Sequence, residues 1–124
     1  MPRILIIEDD DSLRYMLRLS LEVTGHTVAE ARDGKEGLKL YAREPAELVI
    51  TDLIMPEKEG IETIIELRKK NPGLKIIAIS GGGGKPAENY LKIAKRVGAG
   101  FVLPKPFSTD ELQSAVNGML AGAA

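Results

Sequence analysis

The chain has 124 residues, room for one domain, and its mass scales to about 6,500 Å² of folded surface against about 19,000 Å² unfolded, so a core needs no covalent staples. Lys and Arg (17) nearly balance Asp and Glu (18) and there is no Cys, which excludes disulfide frameworks, thiolate metal sites and Cys nucleophiles and makes the cytoplasm the expected location. No long basic run, membrane-length apolar run or signal-peptide core is present, so neither direct nucleic-acid binding nor membrane attachment is expected.

Residues 4–7 are apolar and mostly β-branched, a strand. A helix follows with its apolar face at Leu13, Met16, Leu17 and Leu21; Asp11 and Ser12 can cap it and Gly25 can end it. His26 falls in the turn before the second strand, Thr27–Ala31, a structural position without ligand partners. Leu38, Tyr41 and Ala42 mark the second helix, with Tyr41 expected to be half-buried. The third strand is 48–51, and Ile61, Ile64 and Ile65 mark the third helix. The fourth strand, 75–79, runs into four glycines at 81–84, a loop expected to be mobile, and then into a helix marked by Tyr90, Leu91, Ala94 and Val97. Residues 101–103 form the fifth strand, and Leu112, Ala115, Val116 and Met119 the last helix, which Ser108 and Glu111 open with capping-box spacing. Alternation of this kind, with strands 1, 3 and 4 almost wholly apolar, predicts a doubly wound α/β fold of (βα)5 type, one domain over 1–124 with helices on both faces of a parallel sheet.

Ligands of such sheets bind beyond the carboxyl ends of the strands. Those ends carry Glu8, Asp9, Asp10 and Asp11 after strand 1, Asp52 after strand 3, Ser80 after strand 4, and Lys105 with Pro106 after strand 5. Neighbouring strands 1 and 3 would crowd three carboxylates, which repel unless protons or a cation intervene. An oxygen-only set without His or Cys suits Mg²⁺, with Mn²⁺ as a second candidate. Lys105 and Ser80 add a positive charge and a hydroxyl suited to phosphoryl oxygens. The four glycines before Lys85 do not make a phosphate-binding P-loop, because Ile79 and Pro86 stand where that motif needs Gly and Ser or Thr.

Four segments together carry a resemblance to a known family: the start from Ile4 through Glu8, Asp9 and Asp10; the run Asp52, Leu53, Ile54, Met55, Pro56 with Gly60 behind it; Ser80; and Leu103, Pro104, Lys105, Pro106, Phe107. In these the chain closely resembles the receiver domain of two-component response regulators, of the single-domain, chemotaxis-regulator-like kind. The resemblance implies a flavodoxin-like sheet of order 2-1-3-4-5 and a cis bond between Lys105 and Pro106. It also implies site roles: Glu8 and Asp9 as the acidic metal pair, Asp52 as metal ligand and phosphoacceptor, the Ile54 carbonyl as a further metal ligand, Ser80 as switch hydroxyl and Lys105 as phosphate-binding lysine.

The implied activity is a phosphorylation-dependent switch rather than an enzyme turning over an external substrate. A sensor histidine kinase or phosphotransfer protein would donate to Asp52 with Mg²⁺ as cofactor. The face of the fourth helix, fifth strand and fifth helix would then regulate a downstream protein that the sequence does not name, the chain acting as monomer or weak dimer. One departure concerns Val102, which stands three residues before Lys105 where the family usually has an aromatic; Phe101 is one position earlier and, by strand alternation, on the other face. A small Mg²⁺-dependent aspartate-nucleophile phosphohydrolase is the competing reading, but Asp9, Asp11 and Leu13 fit its first-strand motif poorly and the length leaves no substrate cap. A flavodoxin-like flavin carrier is disfavoured because four acids at 8–11 would repel the flavin phosphate.

Overall fold

The computed structural model describes residues 2–53, 59–80, 92, 95, 96 and 98–121. The strands are β1 (Arg3–Ile7), β2 (Thr27–Ala31), β3 (Leu48–Asp52), β4 (Lys75–Ser80) and β5 (Phe101–Pro104). The helices are α1 (Asp11–Val23), α2 (Gly34–Arg43), α3 (Glu59–Lys70) and, at the C-terminal end, α4 (Thr109–Leu120). Lys92, Lys95 and Arg96 are helical, whereas Tyr90, Leu91, Ala94 and Val97 of the fourth helical pattern, the glycines 81–84, and Ile54, Met55 and Pro56 lie outside the described residues. All five strands pair in parallel in the order β2-β1-β3-β4-β5. That is the (βα)5-type sheet expected from the sequence.

Strand alternation sorts the core into two layers. Ile4, Ile6, Leu48, Ile50, Ile77, Ile79 and Leu103 face α1 and α4, meeting Leu17, Leu21, Leu112, Ala115 and Val116. Leu5, Ile7, Val49, Ile76 and Ala78 point the opposite way toward α2 and α3, meeting Tyr41, Ile64 and Leu67. Each central strand is therefore apolar on both faces because each face is covered.

Local chemistry sets the ends of the helices. Ser108 and Glu111 form the full reciprocal capping box of α4. Asp33 caps α2 through Glu36 N, and Gly25, at φ 93°, ends α1 in the left-handed conformation that glycine adopts without steric cost. The start of α1 departs from expectation. Its cap is Asp10, whose Oδ1 accepts from Ser12 N and Leu13 N at 2.9 and 3.2 Å, while Asp11 already lies in the first turn. The turn between β1 and α1 is then only Glu8, Asp9 and Asp10, and Asp10 N donates across it to Glu8 Oε2 at 3.0 Å.

Three packing expectations are also corrected. Tyr41 is buried rather than half-buried, because its hydroxyl accepts from Asn71 Nδ2 at 3.1 Å and so needs no water. Ala42 is exposed; Gly34 and Gly37 bring α2 against the sheet, so the helix turns its Tyr41 edge inward. Ile65 is exposed too, and Leu67 takes the buried place on α3.

Gly60 fixes how closely α3 approaches the end of β3. A Cβ there would lie 2.6 Å from Leu53 Cα and 2.7 Å from Leu53 O, with Asp52 O closer still. These are backbone atoms and cannot swing away. Gly60→Ala is expected to cost about 1–3 kcal/mol, read as a lowered denaturant midpoint. An unchanged midpoint would mean that α3 is not seated this tightly.

Candidate functional site

Register brings the polar strand ends together. One step beyond the last paired residues of β1 and β3, Ile7 and Thr51, stand Glu8 and Asp52. Asp52 closes β3 opposite Ile79, and Ser80 pairs with Pro104 immediately before Lys105. Carboxylate oxygens of Glu8, Asp9 and Asp52 all lie within 4.8 Å of one another. Glu8 and Asp52 are buried, at 1% and 2% exposure, and Asp9 is exposed. Lys105 reaches over from the end of β5 and places Nζ 2.9 Å from Asp52 Oδ2.

The electrostatics follow from this crowding. Burial, and then the neighbouring charge of Asp52, push the Glu8 carboxyl from its ordinary value of 4.5 up to about 8. Burial works to lower the Lys105 ammonium, but the hydrogen bond and charge of Asp52, with help from Glu8, outweigh it and hold Lys105 above its usual range. Glu8 is fastened at its other polar atoms: its N–H donates to Ala31 O at 3.0 Å, its carbonyl accepts from Arg14 Nη1 at 2.9 Å, and Oε2 accepts from Asp10 N at 3.0 Å. Oε1 is buried without a hydrogen-bond partner among the described residues. A buried acceptor left over beside two further carboxylates suits a hard divalent cation that brings its own charge.

The structure thus gathers Glu8, Asp9, Asp52 and Lys105 on one rim, with the Ser80 backbone on the adjoining strand. The Ser80 side chain and all of Ile54 lie outside what is described. The Lys105–Pro106 peptide bond is cis. Val102 packs against the α2–α3 layer, while Phe101 is 40% exposed and shares a groove with Leu103 and Met119 on the α4 side. The two residues do fall on opposite faces. Outside the four acids, sequence reasoning passed over Arg14, which contacts the backbone of the site. Its signal was a cation four residues after Asp10, one helical turn on and back over the acidic turn.

Beside Lys105, a cavity of about 530 Å³ is lined by Leu13, Met16, Pro106 and Phe107, so an apolar wall adjoins the charged rim. His26 takes no part in the rim; its N–H donates to Leu21 O at the end of α1. Acidic oxygens that accept a cation, a carboxylate that can act as nucleophile and an ammonium that can meet an anion are what phosphoryl transfer to Asp requires.

Comparison with known proteins agrees. Residues 4–117 match the sequence model of the response regulator receiver domain. The response regulator MprA of Mycolicibacterium vanbaalenii is 33% identical over 118 residues, covering 95% of this chain and 50% of that protein. The transcriptional regulatory protein GlrR of Escherichia coli is 34% identical over 121 residues, covering 98% of this chain and 27% of that protein. The chain therefore spans half the length or less of these curated relatives. Among solved structures, the CheY-like receiver domain protein of Methanospirillum hungatei superposes with a TM-score of 0.89 at 27% identity, covering 98% of this chain and 94% of that one. The chemotaxis protein CheY4 of Vibrio cholerae gives 0.86 at 26% identity, covering 96% and 98%. With the family model matching residues 4–117 of the chain and the sheet order in agreement, the chain belongs to the response regulator receiver domain family.

Proposed function

We propose that residues 1–124 work as one receiver unit that accepts a phosphoryl group on Asp52 from a phosphohistidine of a sensor kinase or phosphotransfer protein. The observation that carries this reading is the convergence of Glu8, Asp9 and Asp52 within 4.8 Å, with Lys105 bonded to Asp52. Glu8, Asp9 and Asp52 would hold Mg²⁺, joined by the Ile54 carbonyl that the family pattern assigns. When bound, the ion supplies charge neutralisation that lets an anionic phosphoryl group approach three carboxylates.

An Asp52 carboxylate oxygen attacks phosphorus in line; the new O–P bond forms as the N–P bond to the donor imidazole breaks, and the imidazole leaves with its electron pair and takes up a proton. Water later attacks the acyl phosphate, releasing inorganic phosphate and restoring the carboxylate. Lys105 leaves its ion pair with Asp52 to meet the phosphoryl oxygens. The Ser80 hydroxyl, on the strand beside Lys105, is the candidate to turn toward them.

The response would pass to the face formed by β5, α4 and the helical stretch bearing Lys92 and Lys95, where a groove of about 480 Å³ is lined by Phe101, Leu103, Ser114 and Met119. That change is a population shift between two surfaces rather than a new fold. With Val102 lacking a ring and stiff at χ1, the Ser80 side of the site carries more of the switch than strand 5 does. No helix among the described residues is long and apolar enough to cross a membrane, and the chain's action is on itself, without multiple turnover of an external substrate.

The test is incubation with acetyl phosphate and Mg²⁺. Stoichiometric, hydroxylamine-sensitive labelling at Asp52 is the expected result; sustained hydrolysis of diverse phosphomonoesters would instead favour the aspartate-nucleophile phosphohydrolase. Lys105→Ala is expected to take up phosphate slowly and to transmit poorly, because it keeps the nucleophile and loses the charge that follows the transferred group. A variant labelled at the wild-type rate and binding its partner normally would remove Lys105 from both roles.

A further inference from the structure

Asp9 is the exposed member of the acidic triad, so packing does not hold its carboxylate in place. The point from which it starts, its own Cα, is placed by the peptide plane that joins it to Glu8, because the carbonyl oxygen of Glu8 and the N–H and Cα of Asp9 lie in one rigid unit. Arg14 grips that plane. Its Nη1 donates to Glu8 O at 2.9 Å, its Nη2 pairs with Asp11 Oδ1, and its Nε faces Glu30 Oε1 at 3.4 Å on β2. Glu30 is itself braced by Arg18, whose Nη1 lies 2.9 Å from Glu30 Oε2. The Arg14 side chain is only 14% exposed. One planar fork therefore joins the end of β1, the first turn of α1 and the neighbouring strand.

We infer that Arg14 is a positioning residue for divalent-cation binding: it locks the Glu8–Asp9 peptide so that Asp9 meets Glu8 and Asp52 at one point. The inference rests on the proposed receiver site and extends it by one residue. A lysine at position 14 offers a point charge and cannot span three acceptors in fixed directions, so the role belongs to the fork and not to the charge alone.

Isothermal titration of Mg²⁺ into the intact chain, alongside thermal midpoints, tests it. Loss of a partner that orients a ligand costs roughly 10- to 100-fold in metal affinity. Arg14→Met is expected to raise the Mg²⁺ Kd roughly 10-fold, with Arg14→Lys recovering only part of the loss. Glu30→Ala, which removes the brace at an edge strand, should weaken binding in the same direction but less, and keeps the test open if Arg14→Met fails to fold. Arg3→Met serves as control: it removes the Arg3–Glu44 ion pair (3.2 Å) at the opposite end of β1, and should leave the Kd unchanged whatever it does to the midpoint. Wild-type Mg²⁺ affinity in folded Arg14→Met, or in Glu30→Ala if the former does not fold, would overturn the inference, as would full recovery by Arg14→Lys. A wild-type chain that binds no Mg²⁺ would instead overturn the proposed site itself.

Discussion

Replacing Asp52 with Asn is expected to abolish stable phosphoryl uptake while leaving the fold intact. The side chain is 2% exposed at the end of β3, and the amide has nearly the same shape. Its carbonyl oxygen can still accept from Lys105, so the contact across to β5 survives. What disappears is the anionic nucleophile, since an amide oxygen does not form a stable phosphoryl adduct. The substitution also removes one of the carboxylates that crowd Glu8, so the Glu8 carboxyl should titrate nearer its ordinary range in this variant. Mass spectrometry after acetyl phosphate treatment should show an adduct on the wild type and none on Asp52→Asn, with matching far-ultraviolet circular dichroism. An acid-labile, hydroxylamine-sensitive adduct persisting on the variant would move the acceptor to another carboxylate.

The rim was legible in the sequence because the doubly wound fold sends every strand's carboxyl end to the same side. Once 4–7, 48–51, 75–79 and 101–103 read as parallel strands, Glu8, Asp52, Ser80 and Lys105 had to stand on one rim of the sheet, whatever their separation along the chain. The strand order needed the family resemblance, since apolar runs do not say which run lies beside which. The errors have a common physical origin in helix phase. A cap at Asp10 rather than Asp11, an exposed Ala42, and Leu67 in place of Ile65 each differ by one or two residues from the periodic reading. On a helix a single step rotates a side chain by about 100°, and the close approach of Gly34 and Gly37 to the sheet, which sets the phase of α2, is a tertiary fact. Arg14 escaped notice because an arginine on an amphipathic helix reads as a solvated charge until its acceptors on β1 and β2 are placed beside it.

Glu8→Gln is expected to act in opposite directions on stability and on metal binding. With burial and Asp52 raising its folded value from 4.5 to about 8, Glu8 binds a proton more tightly in the folded chain than in the unfolded one. Its contribution to stability is then complete below about pH 4.5, declines as pH rises, and is lost once pH passes about 8. The span corresponds to an upper bound of roughly 5 kcal/mol between the two ends. A glutamine keeps the shape, does not titrate, and can still accept from Asp10 N. In chelator, wild type and variant should therefore be close near pH 5, and the variant should be clearly more stable near pH 9. Adding Mg²⁺ should reverse much of this, because an ion bound only by the folded state adds about 2.7 kcal/mol at one hundred times its Kd, and the variant offers that ion one anionic oxygen ligand fewer. Urea unfolding at the two pH values, with chelator and with Mg²⁺, separates the effects. A variant less stable than wild type at high pH without metal would mean that the Glu8 carboxylate is not the repelled group. An undiminished Mg²⁺ stabilisation in the variant would place Glu8 outside the oxygens that hold the ion.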